Sequence, residues 1–213
     1  VSLTSGPGDD DRCPLEALDQ YRLVFDSDAG RLERRVYSMR ADGEDMQALT
    51  AEGVIAREPS MAIDGRLAYS TAEGIELLEP STGESHLLLA GVVHPTWSPD
   101  ALQIGYAAVE SVGTIHMDDE SQWGWGCTGC SLPDFSGDGS SLVYTRQRVE
   151  ELNERHEIST LNVTTGEGRE IVPSSSIRVT QPTGSPDGRW MAAAMECDPG
   201  ASASVMAALL PPG

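Results

Sequence analysis

A phased repeat constrains this chain more than any other feature. Aligned on proline, the sequence shows Pro14, Pro59, Pro95, Pro133 and Pro182, spaced 45, 36, 38 and 49 residues apart. Three residues after each proline stands a small residue: Ala17, Ala62, Ser98, Ser136 and Ser185. Five after it stands an aspartate: Asp19, Asp64, Asp100, Asp138 and Asp187. Gly65, Gly139 and Gly188 follow directly, with Gln20 and Ala101 as exceptions. An aromatic comes ten or eleven residues after the proline in four copies, at Phe25, Tyr69, Tyr106 and Tyr144. A repeat of this period fixes the architecture before any single element is assigned.

Each position has a physical reason. Proline lacks an N–H and is tolerated at the first residue of a strand. Ser-Pro-Asp-Gly suits a type I turn, with proline presetting φ and glycine accepting the left-handed conformation after it. Such a turn with a glycine bulge closes a short hairpin, and Leu67-Ala68-Tyr69 and Leu142-Val143-Tyr144 beyond it have strand composition. A second hairpin follows in each unit, turning at Ala41-Asp42-Gly43, Ser81-Thr82-Gly83 and Thr164-Thr165-Gly166. Each unit is therefore expected to be four antiparallel strands, A to D, the signature of a propeller blade.

The fold expected is an all-β propeller in one domain over 1–213, with five four-stranded blades at about 13–50, 57–90, 93–127, 131–172 and 180–210. Val1-Ser2-Leu3-Thr4 looks like the end of a D strand, and the chain runs out after Val205–Leu209 where a D strand is due. Residues 1–4 are thus expected to complete the last blade in a three-plus-one closure, which leaves no open sheet edge. A six-bladed ring is the rival arrangement. Gln147–Arg155 is read as a helix-like insertion or a longer loop between strands B and C of the fourth blade, because Val149 and Leu152 lie three apart.

The Pro-x-Trp-Ser-Pro-Asp pattern of Pro95 to Asp100, with Pro133 to Gly139 and Pro182 to Gly188, resembles the TolB-type β-propeller repeat. The resemblance covers nearly the whole chain, and it is specific for fold and weak for function. That repeat occurs in periplasmic TolB proteins, in envelope and secreted proteins, and in the propellers of prolyl-oligopeptidase-like enzymes. TolB proteins also carry an N-terminal α/β domain that has no counterpart here, so the TolB cellular role is not carried over.

Composition narrows the partners. A formal net charge of −20 over 213 residues argues against nucleic-acid binding, which needs clustered cations; every basic residue is Arg. The longest mildly apolar run, 201–210, is too short to span a membrane and is interrupted by Ser202 and Ser204. The chain begins at Val1 rather than Met, so removal of a signal peptide is expected, with a periplasmic or extracellular location.

The four cysteines carry the most chemistry. Cys13 precedes the first A strand, Cys127 and Cys130 precede the fourth, and Cys197 follows the last B strand. In an antiparallel blade, D-to-A and B-to-C connections leave on one side, so all four map to the same face. Two disulfides are expected, Cys13–Cys197 and Cys127–Cys130, the first stapling the ring for about 2–4 kcal/mol. A four-cysteine zinc site would want two Cys-x-x-Cys pairs where one is present. Ser131 stands where c-type haem attachment needs His, and a redox pair would want a thioredoxin-like context. No cofactor and no metal are expected.

Trp123 and Trp125 are either a partner hot spot beside the cysteine loop or strand D residues packed between blades. Arg31, Arg34, Arg35, Arg148 and Arg155 fall in or beside loops of the cysteine side and are candidate partner contacts. His94 either lines the central channel or is a structural histidine. Asp19, Asp64, Asp100, Asp138 and Asp187 are expected to accept N–H bonds in their turns rather than act in catalysis. There is no Gly-x-Ser-x-Gly elbow and no phosphate loop. The function expected is a non-catalytic protein-interaction or scaffold propeller of the cell envelope, docked on a membrane complex from its aqueous side. The alternative is a ligand-, glycan- or peptide-binding accessory propeller of a larger secreted hydrolase.

Overall fold

The structure, a computed structural model, describes residues 22–28, 33–79, 81–150, 153–175, 177–185, 187, 189–196 and 204–209. Among these, every regular element is a strand, and the strands form five antiparallel sheets. The first sheet holds β1 (Arg22–Ser27), β2 (Arg35–Arg40) and β3 (Gln47–Ala48). The second holds β4 (Arg57–Met61), β5 (Leu67–Ser70), β6 (Gly74–Glu79) and β7 (Glu84–Ala90). The third holds β8 (Val93–Trp97), β9 (Gln103–Ala108), β10 (Ser111–His116) and β11 (Gln122–Gly126). The fourth holds β12 (Cys130–Phe135), β13 (Ser141–Glu150), β14 (Asn153–Asn162) and β15 (Gly168–Ser175). The fifth holds β16 (Arg178–Gly184), β17 (Trp190–Glu196) and β18 (Ser204–Leu209). The expected pairing of residues 1–4 with the last sheet lies outside the described residues.

Strands follow chain order within each sheet, and the leading strands converge: β4 lies beside β8, β8 beside β12 and β12 beside β16. Sheets that share an inner edge must fan apart outward, and apolar side chains fill each wedge. Val36 and Ala56 meet Leu67, Tyr69 and Leu78 between the first two sheets. Ala68, Ile75 and Leu77 meet Trp97, Ile104 and Tyr106 between the second and third. Val112 and Cys127 meet Tyr144 and Leu161 between the third and fourth, and Val143 and Ile158 meet Val179 and Met191 between the fourth and fifth.

The repeated aspartates sit in the A–B turns. Oδ1 of Asp64, Asp100, Asp138 and Asp187 accepts the backbone N–H two residues on, from Arg66, Leu102, Ser140 and Arg189, at 3.0–3.1 Å. Where the small residue is serine, its hydroxyl donates to the aspartate and accepts the N–H that opens the next strand: Ser98 from Gln103 at 2.9 Å, Ser136 from Ser141 at 3.0 Å and Ser185 from Trp190 at 2.9 Å. The residue after the aspartate is left-handed, with φ +96° at Gly65, +59° at Ala101 and +72° at Gly139, which is why glycine is favoured there. Asp19 lies outside the described residues.

These bonds have a pH consequence. The Ser98, Ser136 and Ser185 hydroxyls, with the backbone amides, hold Asp100, Asp138 and Asp187 below the ordinary carboxylate range; the Arg66 guanidinium does the same for Asp64. A carboxyl that ionises more readily when folded adds stability above its unfolded value, about 3.9, and loses it as pH falls through the folded one. The urea midpoint is therefore expected to hold from neutrality to about pH 4 and to drop below it. Replacing Asp100 and Asp138 together by asparagine should flatten that drop.

Over 147–150 and 153–155 the chain is neither helix nor loop but an arm of two paired strands. β13 and β14 pair without a shift from Ser141↔Asn162 out to Glu150↔Asn153, a hairpin that overshoots the inner strand, whose pairing ends at Cys130↔Arg146. Strand alternation explains the correction: Val143, Thr145, Gln147 and Val149 lie on one side and Tyr144, Arg146 and Arg148 on the other. Continuous pairing between the two strands outweighs a two-residue helical match.

Candidate functional site

The leading strands carry one device four times. In each, the register slips by a single residue: between Arg57 and Ser60, Val93 and Thr96, Ser131 and Asp134, and Thr180 and Thr183. The slip sits on the repeat proline and the residue before it, so the missing proline N–H is not required by the ladder. The preceding residue adopts a left-handed backbone every time, with φ +53° at Glu58, +57° at His94, +52° at Leu132 and +52° at Gln181. None of the four is glycine, and such conformations cost on the order of 1 kcal/mol each. The bulges turn these side chains toward the axis, where they edge an open cavity of about 530 Å³ at the channel mouth.

Asp26, Glu58, His94, Asp134, Gln181 and Thr183 supply its polar wall. His94 Nε2 lies 3.0 Å from Glu58 Oε1, and Ser70 Oγ donates to Glu58 Oε2 at 2.9 Å. Burial opposes ionisation of Glu58, but the bonds from His94 and Ser70 outweigh it and hold the carboxyl below its usual range. Asp26 Oδ2 pairs with the Arg34 guanidinium at 2.8 Å, and Asp26 Oδ1 accepts the Glu58 N–H at 3.3 Å. Asp134 joins three leading strands: Thr96 of β8 donates to Oδ1 at 2.8 Å, and Thr183 of β16 donates to Oδ2 at 2.6 Å.

Ser70 is buried and its hydroxyl is spent on a carboxylate, not on an imidazole that would activate it. Among the described residues, no group of three or more His, Cys, Asp or Glu is arranged to hold a metal ion, and no helix is long and apolar enough to cross a membrane.

His94 serves both of its expected roles, since it is hydrogen-bonded and also edges the channel. Glu58 and Asp134 were not singled out by sequence, although the signal was present as register: each flanks a repeat proline, Pro59 and Pro133.

The cysteine side lies at the same end of the strands as the channel mouth. Cys127 and Cys130 are joined in a disulfide, their Cα atoms 5.7 Å apart. The loop they close is clasped to the arm, with Gln147 N–H donating to the Gly129 carbonyl at 2.9 Å and Arg146 Nε to the Thr128 carbonyl at 3.3 Å. Beneath it the buried Glu157 takes Arg148 at 3.2 Å and Arg146 at 3.7 Å. Cys13, Cys197 and Arg31 lie outside the described residues.

The other candidates separate. Arg34 is tied to Asp26, whereas Arg35 bonds the Thr50 carbonyl through Nε at 3.0 Å and so fastens β2 to the segment after β3. Arg148 and Arg155 face each other across the arm. Trp123 and Trp125 are strand D residues on β11. Trp125 packs with Val112, Tyr144 and Leu161 between sheets, while Trp123 is 61% exposed.

No protein-family model matches the sequence, and no curated protein matches it. Solved structures do. TolB from Acinetobacter baumannii superposes with a TM-score of 0.72 at 17% identity, over 92% of this chain and 54% of that one. A TolB from Agrobacterium tumefaciens gives 0.62 at 12% identity, over 89% of this chain and 71% of that one. A chain of a nidogen/laminin complex gives 0.61 at 11% identity, over 86% and 76%. The chain thus spans about half the length of the A. baumannii protein. Convergent leading strands, wedge-filling cores between successive sheets and these superpositions lead to one conclusion: the chain is a β-propeller of TolB-like fold.

Proposed function

We propose that this chain is a single five-bladed, non-catalytic propeller of the cell envelope that binds a protein partner at the cysteine-side mouth of its channel. The observation that carries the reading is the convergence of four strained pre-proline residues on one open cavity. Strain of this kind persists where a backbone is held for recognition. The wall is rich in carboxylates in a chain of net charge −20, which favours a basic or amide-rich segment of the partner.

Arg34, Arg148 and Arg155 belong to the same side and would orient the partner around the mouth, and Arg31 is included by its place in the sequence. Val149, 71% exposed on the arm, and Val109, 86% exposed at the β9–β10 turn, supply apolar contact there. Docking on a membrane complex from its aqueous side fits this surface. A second reading, an accessory propeller that presents a peptide to a larger secreted hydrolase, is favoured by the same cavity. A prolyl endopeptidase structure that superposes over 82% of this chain and 31% of its own, with a TM-score of 0.54 at 13% identity, supports this second reading.

Site-specific photocrosslinking tests the proposal. A photoreactive residue at position 181, at the mouth, is expected to capture an envelope protein in the native membrane fraction, and one at position 63, in an A–B turn on the far side, is not. Equal capture at both positions, or none at 181, would contradict it. Capture of a hydrolase domain would select the second reading.

A further inference from the structure

A second cavity lies away from the channel, in the wedge between the third and fourth sheets. It measures about 410 Å³, within the roughly 300–1,000 Å³ of small-molecule sites. On one side, Gln103, Thr114, His116, Trp123 and Trp125 share a face of the third sheet, because Gln103 pairs with His116 and Thr114 with Trp123. On the other side is the turn Val163–Gly166 of the fourth sheet.

Two features keep the wedge open. The turn offers Thr164, Thr165 and Gly166, which are small. Gly166, at φ +73°, has the Trp125 indole Nε1 only 2.8 Å from where a β-carbon would stand, so Trp125 lies against the turn as a floor. Trp123, two residues along the same strand face, stands free as a wall and is 61% exposed.

The lining is chemically specific. It contains no charged carboxylate or guanidinium although the chain carries a net charge of −20. It combines two indoles with an amide, three hydroxyls and an imidazole, and only Val163 is aliphatic. An aromatic face flanked by neutral donors and acceptors fits a ligand with a C–H face and a rim of hydroxyls. We propose that this groove binds a neutral saccharide, one pyranose ring stacking on Trp123 and its hydroxyls bonding to Gln103 and His116. The site goes beyond the protein-interaction reading and shares no residue with the channel mouth.

The test uses the full chain, with isothermal titration calorimetry and tryptophan fluorescence. The probes are neutral oligosaccharides of hexoses and N-acetylhexosamines, a uronic-acid oligosaccharide and an acetylated Phe-Leu dipeptide amide. Saturable binding of at least one neutral oligosaccharide in the millimolar range or tighter is expected. Trp123→Ala should weaken it by about tenfold or more and Gln103→Ala by several-fold, while Trp190→Ala, at an exposed indole elsewhere, leaves it unchanged. Trp123 is exposed, so its variant is expected to fold, and circular dichroism checks this. The proposal is overturned if no neutral oligosaccharide saturates, if binding survives Trp123→Ala unchanged, or if the dipeptide or the uronic-acid probe binds this groove in preference.

Discussion

Truncating Leu142 to alanine lowers the free energy of unfolding by about 2–5 kcal/mol. Leu142 has no exposed surface and is the second residue of β13. Its Cδ2 reaches the third sheet at Gly105, 2.8 Å from where a β-carbon there would stand. Gly105 is therefore the hole and Leu142 the knob that lets two sheets close near the axis. Removing the knob leaves a cavity beside a residue that cannot grow to fill it. Urea denaturation checks the effect, with a lower midpoint and an unchanged slope. A loss below about 1 kcal/mol would mean that the third and fourth sheets are not packed as described.

Gly129→Ala is the second large effect, at about 2–4 kcal/mol. The residue has φ +76°, and a β-carbon there would collide with the Gln147 carbonyl oxygen. Both the disulfide loop and the base of the arm would have to move apart. Gly43 provides the control, since it has φ +92° but nothing within 4 Å of a β-carbon. Gly43→Ala should therefore cost only the backbone term, about 1 kcal/mol. Equal losses at the two positions would show that the clasp between loop and arm contributes nothing.

Much of the fold was legible because its punctuation is chemical. Asp-Gly after a serine-proline pair can do little except turn, and the aromatics that follow mark the strands packed between sheets. The arm was not legible: Gln147-Arg148-Val149-Glu150 is too charged to show alternation, and its strand identity comes from pairing with 153–156. The pre-proline bulges were hidden for a different reason. The residue before proline is ordinarily extended, and Glu58, His94, Leu132 and Gln181 share no side-chain property that would announce a left-handed backbone. Only the common register of the leading strands produces them. The groove at Trp123 depends on what the next sheet places opposite, and that follows from packing rather than from the Trp-Gly-Trp-Gly sequence.

The central claim is that leading strands far apart in sequence meet around one axis, and Asp134 is where this can be measured. Double-mutant cycles would combine Asp134→Ala with Thr96→Val and, separately, with Thr183→Val, partners 38 and 49 residues away. The account predicts a coupling energy of about 1 kcal/mol or more in each cycle. Additivity of both pairs to within about 0.3–0.5 kcal/mol would contradict it, because strands that do not converge cannot share one carboxylate.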